Sequence, residues 1–214
     1  MFDQEVRTRP DFLTIAKSQR WTRRALLRDI ALATLAAASS PLYAQHGNLG
    51  VVNPPARLDD FSLVDQQGTK RTLNDFLQQG VTALQTIYTG CGSVCPLQGA
   101  LFSAIQDRIP QTGSRHPIRL LSIGIDPLSD SPSALRDWLT RFNAGSAWNA
   151  ATPSLKDVDR MRLQLSGSTL PLGNIADHST QIYCFDANQM LRYRSADLPS
   201  VDEVCDVIGK LGRL

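Results

Sequence analysis

Histidine and cysteine are scarce in this 214-residue chain, with three and four residues respectively, and the scarcity narrows the available chemistry. A closed structural zinc site needs four ligands, commonly supplied as paired C-x-x-C or H-x-x-x-H motifs, and the chain has no such second pair. Aromatic residues make up only 7%, with no basic stripe interleaved among them, which argues against nucleic-acid recognition. Long apolar runs are missing too. The N-terminal candidate, residues 30–38, falls well short of the roughly 20 residues that a membrane-crossing helix requires. No internal repeat is found, and the only biased stretch is the alanine-rich one near the N-terminus. With 42% hydrophobic and 20% charged residues, what is present is ordinary globular material, long enough for one buried core.

The formal charge of +2 is unevenly spread: residues 1–44 carry seven Lys/Arg against four Asp/Glu, leaving fifteen against sixteen in the rest. This N-terminal segment reads as an export signal. Thr22-Arg23-Arg24-Ala25-Leu26-Leu27 places an arginine pair before an apolar pair, a short apolar run follows, and Ser39-Ser40-Pro41 breaks it. The pattern resembles a twin-arginine signal, with cleavage expected after Leu42-Tyr43-Ala44. The expected organisation is therefore a signal over 1–44, a connector over 45–55 and one domain over 56–214, working in the periplasm or another extracytoplasmic space.

Within that domain, residues 61–65 and 70–73 flank a Gly68-bearing turn and predict a hairpin. Residues 81–88 and 118–125 are apolar without helical period, as expected of central strands buried on both faces. Helices are predicted over 96–109, from Pro132 to about Phe142 with Ser131 as N-cap, over 155–165 with Ser154 as cap, and over 201–211. Residues 148–151 read as a short strand, and 181–185 with 189–193 as a hairpin around Asp186-Ala187-Asn188. Alternating strands and helices that end in a hairpin and a helix give an α/β class: a thioredoxin-like sandwich with a central mixed sheet, helices on both faces and an N-terminal β-hairpin.

The chemistry concentrates in Tyr88-Thr89-Gly90-Cys91-Gly92-Ser93-Val94-Cys95-Pro96, where a buried strand hands over to a helix. Backbone N–H groups at a helix start favour thiolate over thiol. Two sulfurs at this spacing converge on one point, either to form a disulfide or to clamp a metal. In an exported protein such a dithiol is oxidised unless a reductant or a metal intervenes. Asp177-His178-Ser179, just before the late hairpin, is the second feature.

These motifs together resemble the Sco/SenC family. The resemblance rests on Cys91, Cys95 with Pro96, the distant His178 in its Asp-His-Ser setting, the opening segment from Phe61 to Gly68, the acidic loop from Asp126 to Pro132 and the late strand from Ile182. It implies a thioredoxin fold in which Cys91, Cys95 and His178 bind copper. It also implies a role in building the dinuclear copper A centre of cytochrome c oxidase, with a cupredoxin-type acceptor such as an oxidase subunit, a thiol reductant and transient contact with membrane proteins as partners. Two thiolates and an imidazole suit Cu(I), and Cu(II) can add water or another donor. Asp177 is a candidate for orienting His178. The chain departs from the family where Gly92-Ser93 replaces the Pro-Asp that commonly follows the first cysteine, which removes a negative charge beside the thiols and shifts the balance toward thiol exchange.

Alternatives stay open at this point. The same Cys91 and Cys95 would serve a thiol-disulfide oxidoreductase that reduces an acceptor's cysteines, or a thioredoxin-like peroxidase, with Cys91 attacking and Cys95 resolving. A purely structural disulfide across so small a loop would add little stability. Cys184 and Cys205 read as core residues that an exported protein has the option of bridging. His46 and His116 read as solvated, Trp138 and Phe142 as one helix face in the core, and the Asp126–Asp130 loop as a cap rather than a cation site.

Overall fold

A computed structural model describes residues 49–168 and 179–214, all within the compact unit Ala44–Leu214. Its strands are β1 (Gly50–Ala56), β2 (Ser62–Asp65), β3 (Lys70–Thr72), β4 (Val81–Ile87), β5 (Ile118–Gly124), β6 (Trp148–Pro153), β7 (Ile182–Phe185) and β8 (Leu191–Arg194). Among the described residues five α-helices accompany them: α1 (Leu73–Leu77), α2 (Cys95–Arg108), α3 (Pro132–Arg141), α4 (Val158–Ser166) and α5 (Val201–Leu211). The strands form a single sheet in the order β1-β8-β7-β4-β5-β6-β2-β3. Pairs β4–β5 and β5–β6 are parallel and the others antiparallel, so the sheet is mixed, as the alternating pattern predicts.

β4 lies at the centre, and all seven of its residues are buried. That double burial explains why the segment shows an apolar run instead of alternation. Side chains still alternate between two cores. Leu84, Leu121, Tyr183 and Phe185 pack with Phe76, Leu77 of α1 and Met161, Leu165 of α4. Val81, Ala83, Leu120, Ile182 and Cys184 pack on the other face with Phe102, Ile105 of α2 and Val204, Ile208 of α5. Helices thus cover both faces of a thioredoxin-like sandwich, and β2–β3 forms the expected N-terminal hairpin. Its turn is held by Asp65, whose Oδ1 accepts the Gln67 and Thr69 N–H groups at 2.9 and 2.8 Å. Ser131 caps α3 with Pro132 at its first position, and Ser200 caps α5.

Three elements differ from the sequence reading. Gly50–Ala56, read as part of a connector without periodicity, is an edge strand paired with β8, and its two prolines are tolerated because an edge leaves one row of N–H groups unpaired. Residues 73–77 form a helix too short to show a period, started by a capping box between Thr72 and Asp75. The helix expected after Ser154 begins at Val158. Ser154 instead donates its hydroxyl to Asp157 Oδ2 at 2.6 Å, holding an extra turn before the helix.

Candidate functional site

β4 ends at Ile87 and the chain turns sharply, with the Cys91 N–H donating to the Tyr88 carbonyl at 3.0 Å. Residues 92–94 bend on to the start of α2, whose first residue is Cys95. The two thiols occupy different surroundings as a result. Cys95 is fully buried against Ile87, Leu135 and Trp138, while Cys91 is partly exposed at the rim of the same cluster. Partial burial works against ionisation of Cys91, but the Ser93 hydroxyl, the Cys95 and Ser93 N–H groups and the Cys95 thiol all hydrogen bond its sulfur and outweigh that effect. Its pKa drops from near 9 to about 6. Ser93 Oγ lies 3.4 Å from Cys91 Sγ. For Cys95, burial dominates and the adjacent Cys91 sulfur adds to it, pushing the pKa up to about 12. The loop therefore presents an accessible thiolate in hydrogen-bond contact with a buried thiol.

Two further groups hold this corner. Asp130, fully buried, accepts from the Thr89 N–H at 2.8 Å and the Thr89 hydroxyl at 2.6 Å through Oδ1, and from the Asp126 N–H at 2.9 Å through Oδ2. Burial raises its pKa while those donors favour the carboxylate. Thr86, near the end of β4, donates its hydroxyl to the Ser179 carbonyl at 3.2 Å. The chain just beyond is tied to Asp197, whose Oδ1 accepts the Thr180 N–H and hydroxyl, each at 2.8 Å. A cleft of about 300 Å³ lined by Tyr88, Gly90, Asp137, Trp138 and Arg141 opens beside the turn.

Cys91 and Cys95 are brought together here, whereas His178 and Asp177 lie outside the described residues, as does His46. Among the described residues no group of three or more His, Cys, Asp or Glu is arranged to hold a metal. Cys184 and Cys205 are buried thiols that do not bridge, and His116 is exposed. Trp138 and Phe142 stack edge-on with ring centres 4.7 Å apart. The residues missed by sequence reasoning are Ser93 as a donor to sulfur and Asp130 as a buried anchor. Ser93 is legible from its place two residues after Cys91, but nothing local marks Asp130, which acts 41 residues away in sequence. No described helix is long and apolar enough to cross a membrane.

A dithiol at the junction of a central strand and a helix, set in this sandwich, defines a thioredoxin-fold thiol protein. The chain belongs to the SCO1/SenC family, whose profile matches residues 53–211. A SCO2-like protein of Rickettsia conorii is 29% identical over 138 residues, covering 60% of this chain and 64% of that protein's length. Yeast Sco1 with copper bound superposes with a TM-score of 0.61 at 18% identity, covering 74% of this chain and 93% of that one. BsSco, described as a member of the Sco family of cytochrome c oxidase assembly proteins and as carrying a disulfide switch, gives 0.63 at 16% identity, covering 79% and 98%. At these identities the structural matches establish the shared fold.

Proposed function

We propose that this chain is an extracytoplasmic copper-binding protein that receives one copper ion and passes it to a cupredoxin-type acceptor, assisting assembly of the copper A site of cytochrome c oxidase or a related cuproenzyme. The observation that carries the reading is the sulfur pair: an accessible Cys91 thiolate beside Cys95, in a chain of a family that includes a copper-bound relative. Thiolates are soft ligands that select Cu(I). His178 is the third ligand in this reading. Support comes from the residue that follows it, since Ser179 is hydrogen bonded to Thr86 on the strand that leads into the cysteine turn. The cleft lined by Tyr88 and Gly90, on the turn that leads to Cys91, leaves room for an acceptor's chain. Residues 1–44 act as the twin-arginine export signal and residues 56–214 as the working domain, preceded by a connector.

The asymmetry of the two thiols favours a second reading, reduction of the acceptor's cysteines. The Cys91 thiolate attacks one sulfur of the acceptor disulfide, and the other leaves as a thiolate. Cys95 then gives up its proton, attacks the Cys91 sulfur and releases the acceptor's second thiol, leaving a Cys91–Cys95 disulfide that an external thiol reductant must reopen.

Titrating the reduced full chain with Cu(I) against a competing chelator separates the two. His178→Ala is expected to lower affinity by more than about a hundredfold, the upper end of what losing a mere outer-shell partner costs, while the Cys91–Cys95 disulfide still forms. Cys91→Ala is expected to lose both properties. Wild-type affinity in His178→Ala would count against the copper reading and leave the reductase.

A further inference from the structure

The turn that carries Cys91 is fastened to a different part of the fold by one side chain. Thr89 lies inside the turn closed by the Cys91 N–H on the Tyr88 carbonyl, and both its N–H and its hydroxyl are bound by Asp130 Oδ1. Asp130 is itself fixed in the loop between β5 and α3: its Oδ2 takes the Asp126 N–H, and its own N–H donates to the Asp126 carbonyl at 2.7 Å. Asp130 is fully buried, so its carboxylate depends on these donors rather than on water. Room for the carboxylate exists because β5 ends in Gly124, where a Cβ would lie 2.7 Å from both Asp130 Cβ and Oδ2. The next residue, Ser131, caps α3, which ties this anchor to a ten-residue helix.

We propose that Asp130 is a positioning residue for the dithiol: by clamping Thr89 it holds the turn so that the Cys91 sulfur stays within reach of Cys95, for closing a disulfide or for sharing a metal ion. The proposal rests on the functional reading above, but its decisive measurement needs no copper. A held turn has already lost the backbone freedom that would otherwise oppose bringing two sulfurs together, so the effective concentration of one thiol at the other is higher. Removing the clamp lowers that concentration without replacing either cysteine, and Thr89→Val does so while leaving in place the Asp130 charge that acts on Cys95. A merely structural aspartate would not do so.

Asp186 provides the internal control. Also buried, it holds the β7–β8 turn by accepting the Asn188 and Met190 N–H groups at 2.9 and 3.0 Å, but it lies at the opposite end of β4, since Phe185 pairs with Thr82. The test equilibrates the full chain with oxidised and reduced glutathione, in which two protein thiols and one glutathione disulfide give one protein disulfide and two glutathiones, and quantifies both protein forms. Asp130→Ala is expected to lower the equilibrium constant about tenfold, the entropy of freeing roughly one backbone residue. Thr89→Val, which keeps the N–H but loses the hydroxyl, is expected to lower it about threefold, and Asp186→Ala to stay within about twofold of wild type despite its lower melting temperature. Should Asp130→Ala fail to fold, Thr89→Val and Asp130→Asn decide by the same measure. The proposal is overturned if the folded clamp variants match wild type, or if Asp186→Ala shifts the equilibrium as far as they do. Cu(I) affinity, measured in parallel, is expected to fall with the same ranking; a wild-type protein that binds no Cu(I) would sink the copper reading and leave the clamp to be judged on glutathione alone.

Discussion

Cys91 and Cys95 have the same functional group and nearly the same address in the sequence, yet their acidities are pushed in opposite directions. The cause is local. Cys95 enters a helix facing Leu135 and Trp138, while Cys91 stays at the rim, where the Ser93 hydroxyl and two backbone N–H groups reach its sulfur. Iodoacetamide labelling of the reduced protein should therefore show one fast thiol whose rate reaches half its plateau near pH 6, with no comparable step from Cys95 in the accessible range. Ser93→Ala removes one of the bonds that lower the Cys91 pKa, so its midpoint should move upward by about half to one pH unit, the weight of one hydrogen bond to a largely exposed charge. An unmoved midpoint would mean that the hydroxyl does not stabilise the thiolate. The glycine-serine pair in the loop was readable as a departure favouring thiolate, but the donor role of Ser93 depends on how residues 92–94 bend.

Helix α2 is what carries Cys95, so its seating against the neighbouring helix matters to the site. Gly99 faces Phe142 at the end of α3, and a Cβ there would fall 2.2 Å from the ring. Helix propensity alone favours alanine over glycine by about 1 kcal/mol, whereas overpacking a close contact costs about 1–3 kcal/mol. The contact should win here. Gly99→Ala is expected to lower the melting temperature by a few degrees, up to about 8 °C, in a calorimetric scan, and combining it with Phe142→Leu should recover part of the loss. A melting temperature at or above wild type for the single variant would show that the two helices move apart freely. Elements with strong punctuation were legible in the sequence, as with Ser131-Pro132 opening α3 and the buried β4 run. Elements without it were not: β1 is masked by its prolines, and the short α1 depends on Thr72 and Asp75 capping each other.

For the whole molecule, residues 1–44 hold all of the excess positive charge and the rest of the chain is close to neutral. If the twin-arginine reading is right, protein recovered from the periplasm should begin at Gln45 by N-terminal sequencing, and Arg23→Lys/Arg24→Lys should leave the full chain in the cytoplasm. An intact Met1 on periplasmic protein would refute the cleavage. The central sheet binds the parts of the site together: β4 leads into the cysteine turn, β5 into the loop bearing Asp130, and the bond from Thr86 to Ser179 ties β4 to the segment before β7.

By itself the sequence determined the sandwich, the handover from β4 to α2 and the presence of two cysteines in that turn, because apolar periodicity, caps and glycine spacing act over a few neighbouring residues. Tertiary structure decided which donors reach the Cys91 sulfur, that Cys184 and Cys205 stay apart, and that a buried carboxylate far along the chain clamps Thr89. Those outcomes depend on desolvation and on partners that only folding brings into contact, so no local pattern encodes them.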